Sequence, residues 1–419
     1  MADVTIEGSA GGTLDHTAGR GGVFWKSTTA GYIVYYDANS DLVYRKTTDG
    51  GATWAAAVVL ITGTIMYFDC WADWQTAGDA GTKIHIVAAD DDTDDVLYKY
   101  LETSDDTAGD TVSVYACPGD LVNTGATYQL VSITKTRGGN LAIALHVYDF
   151  TDDYLFYTSS DGTTWTSKNT PWEAAADFVQ LYPGNEADTN DIWAVFWDWS
   201  ADEVSLKTFD DSGNSWSEQS IASSMVEGTN YTGQDGQIRL SDGHLILAAW
   251  SEYDSATADL RVWDINGAAS ITEKTNVITN EAESIRTSVF INQVNNDIYI
   301  AYFSGTAALS LVSCFYKKST DGGANWGGET AMQEGAEDDE RWVSAGCMKA
   351  SLGGKFQPVW FNDDLNDIYT NTTNGVSIEA SGGGGWTHIA KVNGVAEASL
   401  AKVNGVAKAS IAKISGVAV

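Results

Sequence analysis

The sequence predicts an all-β fold, a seven-bladed β-propeller with four-stranded antiparallel blades. A turn motif of the type Ser/Thr-x-Asp-x-Gly-x-x-Trp recurs about every fifty-odd residues, and glycine is abundant at 42 residues while proline is scarce at 4. Short strands joined by Gly-rich turns are typical of all-β proteins. A chain of 419 residues is too long for one ordinary compact core. A ring of repeats escapes that limit because each unit packs mainly on its neighbours.

The turn motif is visible in four copies, each with an aspartate and a tryptophan. Their residues are Asp49, Gly51 and Trp54; Asp161 and Trp165; Asp211 and Trp216; and Asp321, Gly323 and Trp326. The middle two aspartates are 50 residues apart, and the other two gaps are about twice as long. Degraded copies near Asp105 and Asn266 fall midway through the long gaps, and a remnant at residues 372–375 follows the last copy. The spacing therefore predicts seven units.

An apolar segment upstream of every turn predicts the second strand of each blade. These segments are residues 32–36, 84–88, 141–145, 192–196, 245–249, 298–302 and 357–361. Continuous apolar runs of this length suit strands that are buried on both faces. A third strand leads directly into each turn, and one further strand at either end completes a four-stranded blade.

Turn chemistry explains the motif, because aspartate accepts hydrogen bonds from the N–H groups of its own turn and glycine adopts backbone conformations that other residues avoid. These turns resemble the Asp-box, or BNR, repeat of sialidase-like β-propellers, and the resemblance spans residues 20–380. It implies that the turn motif is scaffold and that the opposite face carries the ligand site. The resemblance leaves activity open, since Asp boxes occur in sialidases, other glycosidases, sorting receptors and non-catalytic adhesins. Sialidases have six blades, so seven units depart from that branch.

The loops that join the second and third strands carry carboxylates in six of the seven units. Such a rim would repel an anionic sugar such as sialic acid. The richest loop holds Asp90, Asp92, Asp94 and Asp95, and carboxylate oxygens are the ligands that Ca²⁺ prefers. Ca²⁺ is therefore the candidate cofactor. The alternative is turn chemistry and solvation, because aspartate is a preferred turn residue.

Three of the seven arginines, Arg20, Arg286 and Arg341, precede the first strand of the first, sixth and seventh units. Ring closure makes these units neighbours, so the three side chains are candidates for carboxylate recognition at the channel mouth. The resemblance implies the same role, since sialidases use three arginines there, although their Arg-Ile-Pro signature is absent after Arg20. The alternative is ion pairing with nearby acidic residues. Trp199 and Tyr253 lie among the carboxylates and are candidates for stacking on a neutral glycan.

Composition excludes other classes of function. The net charge of −34 argues against nucleic-acid binding, because phosphate contacts need clustered Lys and Arg. The start of the sequence has neither a basic nor an apolar region of a classical signal peptide, and no apolar run approaches the roughly 20 residues of a membrane span. The four scattered cysteines lack zinc-site spacing and are expected to be buried thiols rather than a disulfide framework.

The C-terminal segment has a different pattern, so we divide the chain into a propeller at 1–380, a Gly-rich linker at 381–386 and a tail at 387–419. Three 11-residue repeats begin at Ile389, Leu400 and Ile411, and their Asn-Gly pairs are hairpin-turn signals. A segment this short buries no core of its own, so it is either disordered or docked on another copy, on the propeller or on a larger assembly. These repeats resemble the Ala-Lys-Val-Asn-Gly-Val repeats that end predicted bacteriophage structural proteins.

The leading hypothesis is a non-catalytic propeller on a phage particle, as a fibre, adhesin or decoration. It would bind a surface or cell-surface glycan and assemble with copies of itself or other virion subunits through residues 387–419. Its location would be the virion or the extracellular space. The alternatives are a sialidase-like exo-glycosidase, for which no nucleophile can be assigned, and a structural subunit without a ligand.

Overall fold

The computed structural model describes residues 3–11, 20–118, 131–147, 153–170, 176–198, 201–225, 233–251, 258–281, 286–304, 313–332, 340–362, 365–372, 375–378 and six pairs of tail residues. Strands dominate these residues, and a short 3₁₀ helix lies at Asp73–Gln75. None of the helices in this part of the chain is long and apolar enough to span a bilayer.

Seven antiparallel sheets of four main strands each form the blades, which confirms the predicted seven-bladed propeller. The innermost strands of blades 1 to 7 are Phe24–Trp25, Ile65–Ala72, Val131–Lys135, Ala176–Pro183, Gln234–Arg239, Thr287–Ile291 and Glu340–Ser344. The second strands are Gly31–Tyr36, Lys83–Asp90, Leu141–Val147, Ile192–Asp198, His244–Ser251, Ile298–Ser304 and Val359–Asn362. The third strands are Leu42–Thr47, Asp95–Glu102, Asp153–Ser159, Glu203–Asp210, Ala258–Ile265, Ser313–Ser319 and Asp367–Thr370. The outermost strands are Val58–Ile61, Val112–Ala116, Thr166–Ser167, Ser215–Ser223, Ile271–Glu273, Thr330–Ala331 and Val4–Glu7.

The apolar second strands are buried because each blade is covered on both faces by its neighbours. All six residues of Gly31–Tyr36 are buried. Between blades 5 and 6, the ring of Trp250 meets the edge of Tyr302 with centroids 6.2 Å apart. The apolar core is therefore spread between the blades, and each blade depends on the next for its burial.

The N-terminal strand Val4–Glu7 closes the ring, a feature that the sequence analysis did not predict. It pairs antiparallel with the third strand of blade 7, with Val4 opposite Thr370. The carboxylate of Glu7 then reaches blade 1, where Arg45 Nη2 at 2.7 Å and the Tyr35 hydroxyl at 2.6 Å donate to it. The segment after the last turn cannot take this place, because Val376–Ile378 pairs with Gly354–Phe356 instead.

Three short strands extend the blades, and a fourth, Gly354–Phe356, belongs to a separate two-stranded sheet. Cys347–Met348 pairs in parallel with the innermost strand of blade 1. Gly354–Phe356 lies in the same connection of blade 7, while Thr107–Ala108 and Ile278–Glu281 pair with the third strands of blades 2 and 5. The connection between the first two strands of blade 7 thus ties blade 7 to blade 1 a second time.

The copies of the motif at Asp49, Asp161 and Asp321 form the same type of capped turn between the third and fourth strands. In blade 6, the Ser319 hydroxyl accepts the Gly323 N–H at 2.8 Å, and Asp321 Oδ1 accepts the Asn325 N–H at 2.9 Å. Gly323 has φ = +88°, a left-handed conformation that favours glycine. Hydrogen bonds from the Asn325 side chain, the Asn325 N–H and the Ser319 hydroxyl lower the pKa of Asp321 to about 2. The carboxylate is thus part of the turn's own scaffold.

The fourth copy differs from the assignment made from the sequence. Asp210, not Asp211, caps its turn by accepting the Gly213 N–H at 2.9 Å. Asp211 instead pairs with Lys168 at 2.9 Å. The reason is a shorter loop, since the outermost strand of blade 4 already begins at Ser215.

The motif tryptophans contact the preceding blade. The indole N–H of Trp326 in blade 6 donates to Thr275 O, and that of Trp216 in blade 4 donates to Asn169 O, both at 2.8 Å. Trp165 in blade 3 lies edge-on to Tyr98 in blade 2, with ring centroids 5.2 Å apart. The turn motif therefore joins neighbouring blades as well as strands.

The tail contains three short antiparallel hairpins. Their strand pairs are Lys391–Val392 with Val395–Ala396, Lys402–Val403 with Val406–Ala407, and Lys413–Ile414 with Val417–Ala418. The linker at 381–386 and the Asn-Gly pairs at 393–394 and 404–405 lie outside the described residues.

Candidate functional site

The acidic face lies opposite the turn motifs, at the loops between second and third strands. Where these loops are described, their first polar residue caps the loop. Asp37 Oδ1 accepts the Asn39 N–H at 2.8 Å, and Asn362 Oδ1 accepts the Leu365 N–H at 2.8 Å. These side chains therefore serve the local turn, as their residue types suggest.

The candidate Ca²⁺ loop in blade 2 also uses its buried carboxylate for turn contacts. Asp90 Oδ1 accepts the N–H groups of Thr64 at 3.0 Å and Asp92 at 3.2 Å, while Oδ2 accepts the Thr93 hydroxyl at 2.8 Å. Burial, together with the charges of Asp90 and Asp94, raises the pKa of Asp95. In the ranges that the structure describes, no group of three or more His, Cys, Asp or Glu side chains is placed to hold a metal ion.

Arg20 lies on the axis of the propeller, where its guanidinium forms a buried ion pair with Asp69. Nε donates to Asp69 Oδ1 at 3.0 Å and Nη2 donates to Oδ2. The remaining donors reach Leu181 O at 3.1 Å and Ile133 O at 2.7 Å. Burial opposes the positive charge, and the Asp69 carboxylate more than offsets it, so the pKa of Arg20 is raised. Arg20 thus contacts the innermost strands of blades 2, 3 and 4, and its guanidinium forms these hydrogen bonds within the protein.

A ring of polar side chains, one from each innermost strand of blades 2 to 7, surrounds this axis. We call it the axial belt, and it consists of Asp69, Ser132, Gln180, Asp235, Ser288 and Ser344. In blade 1 the matching residue is Gly22, where a Cβ would lie only 2.1 Å from Ser344 Oγ. The absence of a side chain at Gly22 therefore makes room for the belt.

Two parts of the axial belt repeat the same hydrogen-bond pattern. Ser132 Oγ donates to Asp69 Oδ2 and accepts the Leu181 N–H, both at 3.0 Å. Ser288 Oγ donates to Asp235 Oδ2 at 2.7 Å and accepts the Ala345 N–H at 2.9 Å. In each case the serine of one blade hydrogen-bonds to an aspartate of the preceding blade and to a backbone N–H of the following blade. Each pattern therefore joins three consecutive blades.

Asp235 differs from Asp69 in that no guanidinium of the described residues forms an ion pair with it. Its Oδ2 accepts the Ser288 hydroxyl and the Val289 N–H at 2.9 Å. Within the described residues its Oδ1 has no hydrogen-bond partner. Burial raises the pKa of Asp235 to about 6, although these hydrogen bonds and the charge of Arg20 favour the carboxylate.

Two segments of the chain close the channel beside the belt. The Cys347 N–H donates to Val23 O and the Lys349 N–H to Trp25 O, both at 3.0 Å. Between these segments and Asp235 remains a cavity of about 20 Å³. That volume holds one or two water molecules and is too small for a sugar ring.

The other predicted ligand residues are only partly described. Arg286 is buried, and its carbonyl oxygen accepts the indole N–H of Trp250 at 3.3 Å. Arg341 lies in the innermost strand of blade 7, and its side chain is outside the described residues, as are Trp199 and Tyr253. Their role in binding a ligand stays a prediction.

A second buried polar group lies on the side of the turn motifs. His85 Nε2 lies 2.9 Å from Asp73 Oδ1, and His85 Nδ1 lies 2.8 Å from the Tyr98 hydroxyl. Burial lowers the pKa of His85, although Asp73 favours its charged form. The linked order of carboxylate, imidazole and hydroxyl resembles that of an acid–base relay. All three side chains are less than 5 % exposed, so it fastens the loop at 73–82 to blade 2 and has no access to substrate.

The axial belt was not predicted from the sequence, although the sequence holds a signal for it. Aligning the innermost strands of the blades places a polar residue at one position among apolar neighbours, as in Phe68-Asp69-Cys70 and Val131-Ser132-Ile133. A polar residue within a buried run needs a partner, and here the partner is the next blade.

Comparison with known proteins gives the fold and not the activity. No protein-family model and no curated protein matches the chain. An ulvan lyase, described as a new family of polysaccharide lyase, is similar with 11 % identity and a TM-score of 0.57 over 90 % of this chain and 95 % of that one. Kuenenia stuttgartiensis hydrazine synthase has 7 % identity and a TM-score of 0.51 over 84 % and 96 %. A Hadza microbial sialidase has 12 % identity and a TM-score of 0.46 over 90 % and 68 %. The fold shared with the ulvan lyase and the hydrazine synthase does not by itself select an activity.

Proposed function

We propose that this chain is a non-catalytic propeller that binds a glycan or a glycan-bearing surface with its acidic face. In this proposal the tail at residues 387–419 attaches it to a virion or to further copies of itself. The observation that carries the proposal is the buried ion pair that the Arg20 guanidinium forms with Asp69 at the axis. A sialidase-like site needs that arginine at the channel mouth.

Carbohydrate is the first class of ligand to test. A polysaccharide lyase is among the solved structures of similar fold, and Trp199 and Tyr253 supply rings of the kind that stack on sugars. The acidic rim favours neutral glycans over anionic ones, because like charges repel. The repeats of the tail support a place on a virion through their resemblance to phage structural proteins.

The binding test is a glycan array probed with the full-length chain and with two variants. We expect Trp199→Ala and Tyr253→Ala each to weaken binding about 2- to 10-fold, the range of one aromatic contact. Leu352→Ala is the matched control, because Leu352 is 43 % exposed and lies on the side of the turn motifs. If no glycan is bound, or if the two aromatic variants bind like the unchanged chain, the proposed ligand face is wrong.

A hydrolysis assay separates this proposal from the sialidase-like exo-glycosidase. The full-length chain is incubated with a fluorogenic sialoside and with the neutral glycans that it binds on the array. We expect no release above that of a heat-denatured sample. Sustained release that is lost in Arg20→Leu while the variant stays folded would establish the enzyme instead.

A further inference from the structure

The axial belt contains two carboxylates, Asp69 and Asp235, and the Arg20 guanidinium forms an ion pair with Asp69. Arg20 donates to both oxygens of Asp69. Asp235 is only 9 % exposed, and it forms no ion pair with any residue that the structure describes. The donors to Oδ2, Ser288 Oγ and Val289 N–H, are neutral, and the Gly236 N–H, which also favours the carboxylate, is neutral as well. Oδ1 is therefore a buried acceptor without a donor in the described chain.

An uncompensated carboxylate in this position is costly. Removing a charge from water is strongly unfavourable unless a charge or hydrogen bonds replace the solvent. Asp235 lines the axial cavity, whose wall also includes Arg20, Gln237, Ser288, Ser344 and Gly346. The cavity volume of about 20 Å³ suits a particle of the size of a water molecule.

Several groups with oxygen atoms line the cavity beside Asp235, together with Arg20 and the apolar residues Phe24 and Val289. The Ser344 hydroxyl lines the cavity. The Gly346 carbonyl accepts the amide of Gln237 at 3.0 Å and keeps a second lone pair. Gln237 is itself fixed, because its Oε1 accepts the Ile291 N–H at 2.6 Å. Rigid hydroxyl, carbonyl and carboxylate oxygens are the donor set of a hard cation.

We infer that the axial cavity binds one monovalent cation of sodium size through Asp235 Oδ1 and the Ser344 hydroxyl. One positive charge balances the single unmatched carboxylate. A divalent ion would leave an excess charge close to the Arg20 guanidinium, which lines the same cavity. The site joins the innermost strands of blades 5 and 7 beside the axis.

The test is thermal unfolding of the full-length chain in sodium chloride and in choline chloride at matched ionic strength. Choline is too large for the cavity and screens the acidic surface equally. We expect the unfolding midpoint to rise with sodium concentration to a plateau. At a sodium concentration about 100 times the dissociation constant, the equilibrium constant for folding should be about 100-fold larger. Equal midpoints in the two salts would overturn the inference by themselves.

Variants assign the effect to the cavity. Asp235→Asn should lose the difference between the salts, while Asp92→Asn, a change at an exposed aspartate of the acidic face, should keep it. Loss of the difference in Asp92→Asn as well would mean that sodium acts on the surface. Should Asp235→Asn fail to fold, Ser344→Ala replaces it, and we expect a several-fold higher sodium concentration for half the effect. An unchanged sodium dependence in Ser344→Ala contradicts the assigned ligands.

Discussion

At the scale of single residues, position decides whether an arginine recognises a ligand or holds the fold. Arg20 precedes the first strand, which makes it a candidate for the channel mouth when only the sequence is considered. The structure turns its side chain into the axis, where it lies 4.9 Å from the ring centroid of Trp71 and pairs with Asp69. Sequence spacing could indicate the blade but not the direction of the side chain, because the partner Asp69 is far along the chain.

The first prediction concerns this buried ion pair. We expect Arg20→Leu to lower the free energy of unfolding by about 3–5 kcal/mol, because it leaves Asp69 charged, buried and without its partner. Chemical denaturation of the full-length chain measures the change. Arg261→Leu is the control, since Arg261 pairs with Glu273, whose side chain is 43 % exposed, and solvent-exposed ion pairs contribute about 0–1 kcal/mol. Equal losses of unfolding free energy in the two variants would show that the axial ion pair contributes no more to stability than the pair of Arg261 and Glu273.

At the scale of elements, the repeated parts of the fold were predictable and the unique parts were not. The second strands and the turns recur in every blade, so the apolar runs and the spacing of the aspartates predict them. The closing strand Val4–Glu7 and the inserted strand Cys347–Met348 occur once each, and both pair with residues distant in sequence. Val4–Glu7 buries only Ile6 fully, so its pattern is too short to stand out.

The second prediction tests the closing strand. We expect Ile6→Ala to lower the free energy of unfolding by about 2–5 kcal/mol, because Ile6 is 2 % exposed and its loss leaves a cavity where blade 7 is completed. Thr5→Ala on the same strand is the matched control, since Thr5 is exposed and surface changes stay within about 0.5 kcal/mol. Denaturant unfolding of both variants gives the comparison. A small loss in Ile6→Ala would mean that the ring holds without this strand.

At the scale of the whole molecule, the candidate site depends on ring closure. Residues of blades 1, 2, 3 and 4 meet at Arg20, and residues of blades 5, 6 and 7 meet at Ser288. No local pattern brings these together, which is why the axial belt was missed although each of its members stands in a predictable strand. The acidic loops were predictable as loops. These side chains cap their loops because aspartate is a good turn residue, and this role does not identify a ligand.

The third prediction concerns the tail and the assembly of the molecule. Isolated two-stranded hairpins are marginal in water, so the three tail hairpins need a partner surface. We expect the full-length chain to sediment as an oligomer. A chain in which Gly and Ser replace residues 387–419 at equal length should sediment as a monomer with the same unfolding midpoint, because the propeller closes without the tail.

Salt concentration then identifies what the hairpins contact. The tail segment at 387–419 has four lysines and one glutamate, whereas the whole chain carries a net charge of −34. Docking of the tail on an acidic propeller should dissociate in 1 M salt, where the screening length falls to about 3 Å. If the hairpins instead associate with the hairpins of other copies, backbone pairing and apolar contacts hold them together. That association should persist in 1 M salt. A full-length chain that stays monomeric at every salt concentration, with its hairpins protected from proteolysis, would show that the tail docks on its own propeller and would remove the assembly role.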